Sequence, residues 1–228
     1  MTGLAELMTP PPTLGGLFGV TIGIVTNNKD PDGLGRVKLM FPWLSDTEES
    51  AWARVLSPMA GKGRGLYCLP EVDDEVLVAF EQGDITFPYV LGALWNGQDK
   101  PPTDNTDGKN NRRLWRSRSG HEILLDDTDG EEKIVVRDSS GKNTIAIDTK
   151  QNSISLRSEQ ALSIETKGDL SIKSSGGAVT ISGKTIALQA QQRFDIKANA
   201  QGTVQAQAGL AIKCLAGVKI NDGALEVT

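Results

Sequence analysis

Two rhythms of apolar and polar residues divide this chain. In the first half, Val37, Leu39 and Phe41 share one side of a segment whose other side carries Arg36, Lys38 and Met40, and Val76, Val78 and Phe80 repeat the alternation. A period of two is that of a strand with one buried face. The pattern predicts five strands, at Leu17–Val25, Leu34–Phe41, Trp52–Leu56, Glu75–Glu81 and Phe87–Leu94, each rich in β-branched or aromatic residues and bounded by turn residues. Pro31 and Gly33 suit a tight turn in Asp30-Pro31-Asp32-Gly33, and Gly61, Gly63 and Gly65 mark a second tight loop. Five short strands with long loops predict a small closed barrel whose interior holds those alternating triplets.

From Lys133 onward the rhythm shortens to apolar-x-apolar doublets. They run Ile134/Val136, Ile145/Ile147, Ile154/Leu156, Leu162/Ile164, Leu170/Ile172, Val179/Ile181, Ile186/Leu188, Phe194/Ile196, Val204/Ala206, Leu210/Ile212, Val218/Ile220 and Leu225/Val227. The step averages about 8 residues, room for one strand and one turn and too short for an amphipathic helix. A strand with two apolar side chains builds no core alone, so successive strands must stack and aim those side chains at a common axis. The candidate rod core is therefore Ile145, Ile147, Ile154, Leu156, Leu162, Ile164, Leu170, Ile172, Val179, Ile181, Ile186 and Leu188. About twelve strands at a sheet spacing of roughly 4.8 Å predict a rod on the order of 55 Å long.

Composition sharpens this division. Ten of the eleven aromatic residues precede residue 116, and Phe194 alone follows it, so the first half can fill a wide core and the second only a narrow one. The expected organisation is an arm at 1–16, a barrel at 17–97, a linker leading into the rod at 98–132, and the rod at 133–228. A net charge of −5, and of −7 over residues 1–129, opposes a surface built to neutralise phosphates. Cys68 and Cys214 lie outside any metal-binding spacing and are expected to be reduced, packed thiols. The start of the chain lacks a basic segment and is broken by Pro10, Pro11 and Pro12, so synthesis in the cytoplasm without a signal peptide is expected.

The segment GIVTNNKDPDGLGRVKLMFPW (Gly23–Trp43) resembles the oligonucleotide-binding-fold (OB-fold) domain of phage baseplate protein V and of the VgrG spike proteins of contractile injection systems. Residues Ala53–Gly97 keep that family's order of strand, glycine loop, Pro70-Glu71-Val72-Asp73-Asp74-Glu75-Val76 strand and Pro88-Tyr89-Val90-Leu91-Gly92-Ala93-Leu94-Trp95 strand. Trp115–Gly141 resembles the family's passage into its spike. The resemblance implies an all-β fold, with a five-stranded OB-fold barrel followed by an intertwined trimeric β-helix, a triangular β-prism. It implies a structural, non-enzymatic spike that punctures a target membrane, touching it only transiently on firing. It also implies that the spike leaves the producing cell within an assembled particle or phage tail. The partners it implies are two further copies of the chain, a separate trimeric hub, a PAAR-like tip protein and effector cargo, with no nucleic acid. VgrG proteins carry a large hub region before the barrel, whereas here about sixteen residues precede the first expected strand, so the hub is expected to be another chain. The stretch Gln98–Asn111 is too short for the lysozyme that one phage spike inserts there. Without a His-x-His tip the rod is expected to end as an apolar platform at Leu225, Glu226, Val227 and Thr228, the candidate tip interface.

Candidate chemistry is sparse, and neither cofactor nor metal is expected. His121 has no second histidine or nearby cysteine to complete a metal site, which favours a structural role. The acidic run Asp126, Asp127, Asp129 and Glu131 lacks a calcium loop's first and last carboxylates, with Leu125 and Val136 in those places, and reads as a solvated turn. Asp73, Asp74 and Glu75 could serve as paired carboxylates but open a strand. Arg112, Arg113, Arg116 and Arg118 around Trp115 could serve a single-strand binder. Pairing with Asp126, Asp127 and Asp129, or with a neighbouring subunit's acidic head, is the favoured reading. Two alternatives to the spike are an OB-fold nucleic-acid-binding module and a β-helix enzyme that degrades polysaccharide.

Overall fold

Alternation places Val25, Val37, Leu39, Phe41, Ala53, Val76, Val78, Phe80 and Val90 in one buried cluster, and six of them are fully enclosed. A computed structural model describes residues 16–216. The strands around that cluster are β1 (Val20–Asn27), β2 (Arg36–Met40), β3 (Ala53–Val55), β6 (Glu75–Phe80) and β7 (Pro88–Ala93). They close in the order β1-β2-β3-β7-β6, with β3 and β7 parallel and every other pair antiparallel. Closure leaves no free edge, and it lets each inward residue meet neighbours from several strands. The edge-to-face pair Phe41 and Phe80, 5.5 Å between ring centres, fills one end of the interior. All five expected barrel strands are present within three residues of their expected limits.

Strand directions define two ends of the barrel. One gathers the β1–β2 turn, the segment 56–74 and the chain leaving β7; the other gathers residues 16–19, the β2–β3 loop and the β6–β7 loop. Segment 56–74 contains a two-residue hairpin, β4 (Ala60–Gly61) and β5 (Arg64–Gly65), in the expected glycine loop. Cys68 lies just beyond it and is exposed, as is Cys214, so the expectation of packed thiols is corrected: both fall in segments with no apolar layer over them. A 3-10 turn (Glu81–Gly83) follows β6.

The β1–β2 turn is organised by one carboxylate. Asp30 accepts hydrogen bonds from the backbone N–H groups of Asp32, Leu34 and Arg36 and from the Arg36 guanidinium, which approaches to 2.7 Å. Its side chain is 3% exposed, and Arg36 holds the carboxyl well below the usual carboxylate range.

A second sheet is an antiparallel meander of β8 (Arg112–Arg116), β9 (Glu122–Asp126), β10 (Lys133–Arg137), β11 (Thr144–Asp148) and β12 (Ser153–Arg157). Two of its strands, β8 and β9, lie in the stretch expected to be a linker. Barrel and meander fall in one compact unit, residues 1–163. The second unit, 164–228, contains no strand among its described residues, and its apolar doublets from Ile164 to Ile212 are exposed. Among the described residues of that unit, a three-residue strand has no neighbour within the chain to complete its ladder. Among the described residues no helix is long and apolar enough to cross a membrane.

Candidate functional site

Register turns the spacing of the doublets into a surface. In the meander Ile134 lies opposite Ile147 and Val136 opposite Ile145, and β12 continues the rows with Ile154 and Leu156. On the other side Leu125 and Ile123 of β9 face Ile134 and Val136, and Trp115 of β8 faces Ile123. Because alternate residues point to opposite faces, these side chains form two parallel apolar rows on one face, one running across all five strands to Trp115 and the other across β9–β12, where Arg113 of β8 ends it. Each stays between 41% and 77% exposed. Finishing the burial of one such aliphatic group is worth roughly 1 kcal/mol, so the rows are a strong drive toward association.

The opposite face is satisfied within the chain. Its centre carries Leu114, Leu124, Val135 and Ala146, with Leu124 buried. On one flank Arg112, Asp126, Lys133 and Asp148 succeed one another across the strands, and on the other Arg116, Glu122 and Arg137 do so. Asp126 and Glu122 are buried; Arg112 lies 3.4 Å from the first, and Glu122 is paired with both Arg116 and Arg137. The Thr128 hydroxyl, ahead of its backbone N–H and Arg112, holds the Asp126 carboxyl below its ordinary value. In the β10–β11 turn, the Ser140 hydroxyl and then the Asn143 amide pull Asp138 down to about 2. A face closed by its own ion pairs offers little to a partner, whereas the aliphatic face offers everything.

These lowered carboxyls set the acid response. The stability that Asp30, Asp126 and Asp138 contribute is complete above the ordinary aspartate value near ~3.9 and is lost as pH falls through their lower folded values. Thermal melts followed by circular dichroism are expected to hold steady from pH 7 to about 4.5 and to fall steeply toward pH 2. Asp30→Asn with Asp138→Asn should start from a lower melting temperature and flatten that fall. An equally steep fall in the double variant would assign the acid response to other groups.

The remaining candidate residues are held structurally. His121 is exposed, and its Nδ1 accepts a hydrogen bond of 3.2 Å from the Ser139 N–H. Of the four arginines, Arg112 and Arg113 pair with Asp126 and Asp127, Arg116 with Glu122, and Arg118 with Glu71 of the same chain's barrel at 3.0 Å. Asp74 caps a turn by accepting the Glu71 N–H, Asp73 adopts a positive φ of 75°, and Glu75 begins β6. Among the described residues no cluster of His, Cys, Asp or Glu has a geometry that would hold a metal ion. Of the candidate rod core, Ile145, Ile147, Ile154 and Leu156 stand on the aliphatic face. The positions from Leu162 to Leu188 lie in segments without assigned strands. Leu225 to Thr228 fall outside the described residues. Sequence reading placed Trp115 with the arginines and missed it, Ile123 and Leu125 as members of the apolar rows. The doublet Ile123/Leu125 was legible in principle, but Leu124 between them masks the alternation.

A closed five-stranded barrel is thus joined to a meander with one self-satisfied and one uncovered face. Residues 21–95 match the family described as the type VI secretion system/phage-baseplate injector OB domain. The chain is similar to the type VI secretion system spike protein VgrG5 of Pseudomonas aeruginosa, 32% identical over 136 residues, which is 55% of this chain and 17% of that protein. It is also similar to the type VI secretion system spike protein VgrG3 of Vibrio cholerae, 28% identical over 59% of this chain and 14% of that protein. The actin cross-linking toxin VgrG1 of Vibrio cholerae is 28% identical over 57% of this chain and 13% of its own length. The resemblance to VgrG-type spike proteins read from the sequence is thus shown, and the chain spans less than a fifth of the length of these three curated relatives.

Proposed function

We propose that the chain is the central spike of a contractile injection system or phage-like tail, a structural element that acts as a homotrimer and catalyses no reaction. The observation that carries the reading is the uncovered pair of aliphatic rows on β8–β12, together with the exposed doublets that continue their spacing from Leu162 to Ile212. Three copies that turn these rows toward a common axis bury them from three sides and pair the free edges of β8 and β12. The injector OB-domain match and the spike relatives support the same role.

In this reading the barrels form a collar that meets a separate trimeric hub, and the far end of the rod, at Leu225–Thr228, receives a PAAR-like tip protein with or without effector cargo. The chain leaves the producing cell inside the particle. Contraction then drives the rod through a target membrane, and the load passes along cross-strand hydrogen bonds. Light scattering on the purified chain tests the core of the proposal. A particle of three times the 24.4 kDa chain mass is expected at micromolar concentration, and a stable, soluble monomer would overturn it.

A further inference from the structure

The two ends of the barrel differ in their cations. At the end shared with the β1–β2 turn and the hairpin, the chain carries Lys29, Lys62 and Arg64 beside the carboxylates Asp30, Asp32, Glu71, Asp73 and Asp74. At the opposite end, residues 16–19, 41–52 and 81–87 contain no lysine or arginine and five carboxylates, Asp46, Glu48, Glu49, Glu81 and Asp84. Those carboxylates surround an apolar patch of Leu17, Phe18, Trp43, Leu44 and Phe87, in which Phe18 is 63% exposed and Phe87 58%. The patch is built into the fold. The Leu17 N–H donates to the Gly83 carbonyl at 2.9 Å, and the Phe18 ring lies on Gly83, where an added Cβ would come within 3.1 Å of it. Gly83 has a φ of +80°, so both its backbone and the space above it require glycine. A cleft of about 190 Å³ opens between Phe18, Val20, Trp43 and Phe80.

We infer that this end of the barrel is a docking knob for a separate protein whose surface presents an apolar pocket rimmed by lysine and arginine. Exposed aromatics supply the anchors, as in most tight interfaces, and the carboxylate rim selects the charge of the partner. Of the five carboxylates Glu49 is paired with Lys38, Glu81 accepts from the Tyr89 hydroxyl and Asp84 from Thr86, which leaves Asp46 and Glu48 foremost to meet charge from outside the chain. The same rim opposes an anionic lipid surface and a nucleic acid. It also opposes a second copy of the same end, since like rims would meet. The inference deepens the spike reading by assigning the hub-facing surface and its chemistry, and it rests on that reading.

The full chain, co-expressed in turn with each product of the neighbouring genes, provides the test. One of those products is expected to bind, with an affinity that weakens as salt rises. A photoreactive phenylalanine analogue at position 87 should crosslink to an apolar position flanked by lysine or arginine on that partner, and the same analogue at position 67 should not. Trp43→Ser and the pair Asp46→Lys/Glu48→Lys should each weaken binding by ~10-fold or more, whereas Lys62→Glu/Arg64→Glu should leave it unchanged. The charge-reversed pair is exposed and leaves the core intact, so it remains informative should Trp43→Ser misfold. Failure of every neighbouring product to bind, unchanged affinity in both knob variants, crosslinks that join copies of this chain, or capture by phosphatidylglycerol vesicles would each overturn the inference. Light scattering on the same samples separates the two ideas. A trimer whose binding ignores the knob variants sinks the docking surface alone, whereas a monomeric wild-type chain sinks the spike.

Discussion

Val78→Asp should abolish the barrel. Val78 is fully enclosed, opposite Val90 on β7 and Thr21 on β1, and belongs to the cluster that contains Leu39, Phe41 and Phe80. Removing its apolar contacts costs roughly 1.5–3 kcal/mol, and burying a carboxylate without a partner adds several more. That loss is comparable to the whole stability of a small domain, on the order of 5–15 kcal/mol. Near-ultraviolet circular dichroism should lose the tertiary signal of the aromatics that crowd this domain, and limited proteolysis should cut within 20–93. Retention of a cooperative melt near the wild-type temperature would mean that the barrel interior is not the core described above. The neighbouring substitution Leu77→Asp, on the outward side of the same strand, should be tolerated far better.

The second large effect concerns association rather than folding of the barrel. Ile145→Asp with Ile147→Asp places a charge in each apolar row at the fourth strand of the meander, where the rows are half exposed in the single chain. Within one chain those carboxylates remain in water and cost little. Across a threefold interface, six charges would be forced into a dry interior with no cation to meet them. The double variant is therefore expected to be monomeric by light scattering, with a barrel that melts as in the wild type. Val135→Asp, on the opposite face between the charged flanks, should leave the assembly intact. If the double variant still assembles with wild-type mass, the aliphatic face is not the contact.

The barrel was legible in the sequence because its strands each bury one face, so Val37, Leu39 and Phe41 or Val76, Val78 and Phe80 announce both the strand and its inward side. Strand limits shifted where bulges break the alternation. Thr26 is the extra residue between the Val25–Leu39 and Asn27–Lys38 pairs, and the β6–β7 register slips beside Val78. The start of the meander was harder. Ile123, Leu124 and Leu125 are apolar in succession, since the inward and outward faces of β9 are both apolar at its centre, and no period of two survives there. The exposed thiols were missed for a different reason. Cysteine is usually buried, but Cys68 sits in a hairpin segment whose Leu66 and Tyr67 are themselves uncovered, and sequence alone does not say which loops lack a roof. The carboxylate-rimmed knob is built from three segments distant in sequence, Leu17–Phe18, Trp43–Leu44 and Phe87, which only the closure of the barrel brings together.

In the proposed trimer, the charged flanks of the meander would bear on how copies find one another. A slip of one residue between β9 and β10 would set Asp126 and Glu122 among aliphatic side chains and turn Ile134 and Val136 toward the arginines, so misregistered pairings are penalised twice. Each chain thus arrives with its strands already in the only alignment its charges tolerate. What remains open during biosynthesis is a sticky ribbon with two bare margins, and a nascent chain that meets no sibling soon after release is exposed to every other unpaired strand in the cell. Synthesis of several copies from one message, close together in space and time, would be the natural safeguard.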